Sequence, residues 1–331
     1  MGTEIIAEIA SSHQGSDQNI YELINYLHKN NHKLIKFQIF DLKCILHPND
    51  NTSDLHKIYI SPTIWNAIIE YSIALDLKII LEIYDLKSFN LINHNPKIYG
   101  YKIPTADIFD LDLINAVCNI SKNVYIGTGG SLIDEIDDLM NTLLKNYPGI
   151  KLTLLHGFQN FPTKPEITEL NKIKFLKSKF PNCFVGYADH MDASTTSRNI
   201  LCFMSLSLGV DVIEKHITLK REQQGFDYYS SLNPDEFIQF CKDVKVYEQS
   251  LNIHNDHKLS KEEELYRNKM KKYAVLIEDS YAGDDLNLRN IIFVRVDKKG
   301  LSRKYFINKN LKFKSNLKIG HILSEDDLEH F

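Results

Sequence analysis

Two stretches in the second half of the chain, Cys183-Phe184-Val185-Gly186-Tyr187-Ala188-Asp189-His190 and Val210-Asp211-Val212-Ile213-Glu214-Lys215-His216, each run from apolar residues into a histidine. Between them, Thr195 to Leu208 carries apolar residues at helical spacing. A strand, a helix and a second strand make one βαβ unit. The same unit recurs toward the N-terminus.

Ile5 to Ala10, Lys33 to Phe40, Lys78 to Ile83, Ile98 to Ile103, Val124 to Ile126 and Leu152 to Leu155 are six earlier apolar runs of strand length. Helical spacing separates them: Ile20, Leu23, Ile24 and Leu27, then segments near Leu86 to Ile92, Leu111 to Val117 and Ile167 to Leu176. One helix is entered at Ser61-Pro62, and another is expected to be capped by Ser131 with Asp134 at the capping-box spacing. Pro234 to Leu251 forms the last helix. About eight strand–helix units in about 250 residues predict an α/β fold, a (β/α)8 TIM barrel. An open doubly wound sheet would carry a Gly-rich phosphate loop after its first strand, and Gly15 alone is not one.

The barrel is assigned to residues 1–251 and a polar linker to 252–270, where His254-Asn255-Asp256-His257 and Lys261-Glu262-Glu263-Glu264 read as linker or exposed helix. Short β-like runs follow in 271–331: Tyr273 to Ile277, Ile291 to Val296, Leu311 to Phe313 and Gly320 to Leu323. They predict a small β-rich domain.

A net charge of -4 over 331 residues gives no electrostatic case for nucleic acid or an anionic membrane as partner. The five cysteines are odd in number and widely spaced, which predicts reduced thiols and no disulfide framework. Glu4 and Glu8 interrupt the N-terminal apolar run, so no secretory leader is expected and the protein is expected to be cytoplasmic.

In a (β/α)8 barrel the site lies at the C-terminal ends of the strands. Those ends read Glu8, Lys36, Lys102, His156, His190 and His216, with Asp107 and Asp227 in loops just beyond. Two lysines can hold a phosphate or carboxylate as point charges. Two histidines leave a divalent cation with open positions, and Glu8 and Asp107 are placed to move protons. A pair of hydrogen-bonded histidines without any metal satisfies the same pattern.

Ile5-Ile6-Ala7-Glu8-Ile9-Ala10 with His13-Gln14-Gly15, Ile35-Lys36-Phe37-Gln38, Tyr101-Lys102-Ile103, Leu154-Leu155-His156, Gly186-Tyr187-Ala188-Asp189-His190, Ile213-Glu214-Lys215-His216-Ile217-Thr218 and Gly225-Phe226-Asp227 together resemble the N-acetylneuraminate (sialic acid) synthase family. Tyr281-Ala282-Gly283-Asp284, Phe293-Val294-Arg295 and the run from Ile319 to Leu328 resemble the antifreeze-like (SAF, β-clip) domain of those synthases. The resemblance implies condensation of phosphoenolpyruvate with an N-acylated amino sugar, giving a nonulosonic acid and phosphate. It implies that His190 and His216 hold Mn2+ or Mg2+ and act in catalysis with Glu8 and Asp107. It places Lys36, Gln38, Lys102, Thr105, Gln159, Phe161 and Asp227 on the substrates. It also implies a domain-swapped homodimer in which Arg295 reaches the partner's site and reads the acyl group.

The departures from the family pattern cluster where phosphate is bound. Ser-Thr-Pro after the third strand is replaced by Glu82-Ile83-Tyr84, Ser-Thr-Gly after the fifth by Gly127-Thr128-Gly129, and a serine before Asp189 by Ala188. Each lost hydroxyl removes a hydrogen bond to a charged group, worth about 1.5–3 kcal/mol. Two other functions therefore stand beside the synthase: a carbon–carbon lyase or aldolase with an unphosphorylated donor, and a non-catalytic sugar-binding homologue.

Overall fold

The computed structural model of the chain describes residues 2–160, 162–251 and 258–330. Eight parallel strands, β1 (Glu4–Glu8), β2 (Leu34–Ile39), β3 (Lys78–Ile83), β4 (Gly100–Ile103), β5 (Asn123–Gly127), β6 (Lys151–His156), β7 (Phe184–Asp189) and β8 (Val212–His216), pair in sequence order. β8 also pairs with β1, setting His216 beside Glu8, and the barrel closes. The expected fold class holds.

Parallel strands buried on both faces need apolar residues at successive positions, which is why these runs scarcely alternate. Outward residues such as Ala7, Ile35, Phe37, Ile79, Leu81, Ile126 and Ile213 pack against the helices. The helix Asp17–Lys29 supplies Ile20, Leu23, Ile24 and Leu27, all buried, and Ser16 caps it. Burying each such side chain contributes about 1.5–3 kcal/mol. Inward residues Ile6, Leu34, Ile80, Tyr125, Leu155 and Val212 plug the barrel interior.

Because side chains alternate along a strand, the inward position two residues beyond each plug residue faces the same axis. Counting on from Ile6, Leu34, Ile80 and Val212 reaches Glu8, Lys36, Glu82 and Glu214. The apolar plug is the floor on which a charged layer rests.

Three local expectations need correction. The helix Ile133–Asn146 is capped at Leu132, whose N–H donates to the Glu135 carboxylate at 2.7 Å, so Ser131 and Asp134 do not form the capping box. The helix expected from Thr195 occupies Ile200–Ser207, because the Asp192 side chain and carbonyl hold 192–195 in local turns. Of the two expectations for the polar stretch, the exposed helix holds over Lys261–Met270, which starts at a Ser260/Glu263 capping box. The run Gly320 to Leu323 is not a strand; of it only Ile322 bridges to Val275.

The chain divides into two compact units, Met1–Leu251 and Asn252–Phe331. In the second unit, β9 (Tyr273–Leu276) pairs antiparallel with β10 (Ile291–Val294), and β11 (Leu311–Phe313) with β12 (Leu328–His330). Ala274, Leu276, Phe306, Phe313, Leu323 and Leu328 are the centre of its own core. Among the described residues no helix is long and apolar enough to cross a membrane. All five cysteines are free thiols.

Candidate active site

The charged layer is a five-membered cluster. Lys36 is fully buried and pairs with Glu8, with Glu82 Oε2 at 2.5 Å and with Glu214 Oε2 at 2.9 Å. Lys102 pairs with Glu214 Oε1 at 2.8 Å and Glu82 Oε1 at 3.3 Å. Glu82 and Glu214 therefore bridge both lysines. Burial pulls the Lys36 ammonium below its usual range despite Glu214 and Glu82. Burial also works against the charge on Lys102, but the same two carboxylates outweigh it and hold that ammonium above its usual range. Burial would raise Glu82 and Glu214, and the lysines outweigh it in both. Two ammonium groups against three carboxylates leave one formal negative charge in excess.

Above the cluster opens an inner chamber of about 310 Å³. Lys102, Glu82, Glu214, His190 and His216 line it, together with Thr105 and a wall of small residues, Gly127, Gly129, Gly130, Gly157 and Ala188. The smallness of that wall is enforced: a Cβ on Gly157, whose φ is +132°, would lie 2.1 Å from the Ala188 carbonyl oxygen. The Gly129 and Gly130 amides have no protein acceptor among the described residues, so they remain available to a ligand.

His190 and His216 stand with ring centroids 5.0 Å apart. Each leaves its Nδ1 buried without a hydrogen-bond partner. Burial, then the neighbouring His216, pushes His190 down to about 3, and burial lowers His216 as well. Both imidazoles are neutral at pH 7, with an unsatisfied nitrogen. A buried polar atom without a partner is costly, and a divalent cation is the group that neutral imidazole nitrogens suit. The pair fits such an ion, with its remaining positions left to solvent or substrate. Among the described residues no group of three or more His, Cys, Asp or Glu could hold a metal.

An outer cavity of about 670 Å³ shares Gln38, Tyr84 and Gln159 with the chamber wall. Gln14, Phe40, Phe226, Asp227, Tyr228 and Tyr229 line it too. Asp227, itself in a left-handed conformation at φ +57°, accepts from the Ser11 N–H at 2.9 Å and from Gln159 Nε2 at 2.8 Å. Amide and aromatic surfaces of this kind suit a polar, largely uncharged molecule.

The fold thus brings Lys102, Thr105, His190 and His216 to one chamber, and Gln38 and Gln159 to the passage between chamber and outer cavity. Lys36 and Glu8 lie beneath and line neither cavity; Glu8 Oε1 accepts from the Ala10 N–H at 2.6 Å while Oε2 meets Lys36. Asp107, half-buried, is also outside both linings; burial, then Asp110, pushes its carboxyl up to about 6. His156 faces away from the axis and bonds the Thr168 carbonyl at 2.7 Å, so it does not join the strand-end group. Arg295 is an exposed residue of the second unit, just past β10. Phe161 lies outside the described residues.

Glu82 and Glu214 were missed as cluster members. The signal was available: Glu214 precedes His216 by two on β8, and Glu82 precedes Tyr84 by two at the end of β3.

The strands define a (β/α)8-barrel protein with a chamber at its strand ends. Residues 23–256 match the NeuB family model, and the chain belongs to that family. It is 30% identical to an uncharacterized protein of Methanocaldococcus jannaschii over 98% of this chain and 94% of that one. It is 26% identical to the N,N'-diacetyllegionaminic acid synthase of Campylobacter jejuni, over 87% of this chain and 89% of that one. Among solved structures, the N-acetylneuraminic acid (sialic acid) synthetase of Leptospira borgpetersenii superposes with a TM-score of 0.70. At 22% identity, covering 82% of this chain and 93% of that one, it shares the fold.

Proposed function

We propose that the protein is a metal-dependent synthase that joins phosphoenolpyruvate to an N-acylated amino sugar, releasing phosphate and forming a nonulosonic acid. One observation carries the proposal: two neutral histidines with unsatisfied nitrogens share a chamber with Lys102, directly behind an amide- and aromatic-lined cavity. Family membership and the sugar-acid synthases among the relatives support it.

In this scheme the outer cavity takes the sugar, with Asp227 and Gln159 positioned for its hydroxyl or amide groups. Lys102 and the Gly129 and Gly130 amides take the anionic end of the donor. Lys36, paired with Glu8, offsets part of the cluster's negative charge and orients Glu82 and Glu214. His190 and His216 would hold a divalent cation, which when bound polarises the acceptor aldehyde. The C3 carbon of the donor attacks that aldehyde while water adds at C2, and the resulting adduct expels phosphate. The second unit acts as the antifreeze-like cap of a domain-swapped homodimer, with Arg295 reading the acyl group in the partner's site.

Phosphate release from phosphoenolpyruvate, with Mn2+ and a panel of N-acyl hexosamines, tests the proposal. Release above a His216→Ala control is expected, and none across the panel would overturn it. The second function, a lyase or aldolase with an unphosphorylated donor, is favoured by one observation only, the excess negative charge under the chamber. Tight binding of pyruvate with none of phosphoenolpyruvate would select it.

A further inference from the structure

The lysine that lines the chamber is already occupied. Lys102 is in contact with two carboxylates, and the two contacts differ: Glu214 Oε1 is at 2.8 Å and Glu82 Oε1 at 3.3 Å. Glu82 is 3% exposed and its other oxygen is fixed, taking Lys36 at 2.5 Å and Gln38 Nε2 at 3.2 Å. Oε1 is thus the loosely held end of a firmly anchored group, and it faces the chamber's cation.

We infer that Glu82 is the residue that sets how much negative charge the chamber accepts in its donor, by competing with the donor's phosphate for Lys102. The inference rests on the proposal that an anionic three-carbon donor meets Lys102. A phosphate entering the chamber takes the place of Glu82 Oε1 on Lys102, while Glu214 and Lys36 stay paired. The cost of that exchange is the approach of two anions in a largely desolvated space, where charges are poorly screened. A fixed repulsive group of this kind discriminates between ligands by penalising one of them. Pyruvate carries one anionic group and evades the penalty; phosphoenolpyruvate and inorganic phosphate bear it in full. Glu82 acts through Lys102, so it is a positioning and specificity residue.

Glu82→Gln keeps the size of the side chain and a carbonyl for Lys36, and removes the charge. Calorimetric titrations in one Mn2+ buffer should give at least about tenfold tighter binding of both phosphoenolpyruvate and inorganic phosphate, about 1.4 kcal/mol. Pyruvate should change less than about threefold. Glu82→Asp, which restores the charge, should return phosphate affinity toward the wild type. In turnover, KM for phosphoenolpyruvate should fall while KM for the sugar stays constant. Phosphate binding unchanged or weakened in a folded Glu82→Gln protein overturns the inference.

Failure of the synthase proposal would look different: no variant would release phosphate, yet the binding shifts would still be read. Should Glu82→Gln not fold, wild-type crystals soaked with phosphoenolpyruvate decide. Phosphate on Lys102 with Glu82 Oε1 beyond 4 Å supports the exchange. Phosphate bound with that pair intact, or no phosphate on Lys102, overturns it.

Discussion

Lys36 Nζ and Glu214 Oε2 are 2.9 Å apart inside the barrel, with 0% and 2% of their side chains exposed, and the second oxygen of Glu214 takes Lys102 at 2.8 Å. A single carboxylate therefore ties the buried lysine to the one that faces the chamber. Two residues further along the same strand stands His216. The lysine-lined and histidine-lined halves of the chamber are joined through one β-strand.

Removing one partner of a buried ion pair leaves an uncompensated charge, which costs about 3–5 kcal/mol. Lys36→Met, which leaves Glu8, Glu82 and Glu214 with Lys102 alone, should lower unfolding free energy in urea by that amount. A loss under about 1 kcal/mol would mean that the carboxylates find other partners, protons or water.

His13 is buried, and its Nδ1 accepts the Gly15 N–H at 3.0 Å, a bond that the neutral ring alone can make. Burial lowers it from 6.5 to about 4, against the pull of Asp227. The folded-state value is the depressed one, so on acidification the unfolded chain takes up the proton first. Stability is thus complete above about pH 6.5 and is lost as pH falls toward 4, by about 3 kcal/mol from this residue. The stability difference between wild type and His13→Asn should shrink by that amount between pH 7 and pH 4. A pH-independent difference would contradict the shift.

His190→Ala and His216→Ala should each weaken Mn2+ binding by at least about 100-fold, beyond the loss typical of an outer-shell partner. Titration calorimetry on the folded variants reads this directly. An unchanged affinity would place the ion elsewhere.

Gly157→Ala should destabilise the protein by about 1–3 kcal/mol or more, through backbone strain at φ +132° and the contact with the Ala188 carbonyl. A drop in Tm is the readout, and no drop would mean that the loop relaxes freely.

Much of the fold was legible because barrel strands are near-continuous apolar runs at regular intervals. The helix boundaries were less so. Asp192 and Thr195 divert the chain into turns before Ile200, and Glu135 makes Leu132 the cap although its side chain has no polar atom. At the site, Lys102, His190 and His216 stood out because a charged or imidazole group at a strand end has few structural uses. Glu82 was harder to place. Its stretch read only for the hydroxyl lost at Ile83, whereas Glu82 is a carboxylate bridging both lysines. That role depends on the inward alternation of β3 against β2 and β4, which residue type alone does not reveal. His156 erred the other way: a strand-end histidine whose parity turns it outward onto the Thr168 carbonyl.

Mass spectrometry of the product formed from 13C-labelled phosphoenolpyruvate, an N-acyl hexosamine and Mn2+ is the most direct test of a synthase built on this chamber. The predicted result is a sugar acid equal to the acceptor plus one labelled three-carbon pyruvyl unit, with stoichiometric phosphate, absent in His216→Ala. Recovery of the unchanged acceptor across the panel, or the same adduct from pyruvate without phosphate release, would contradict it.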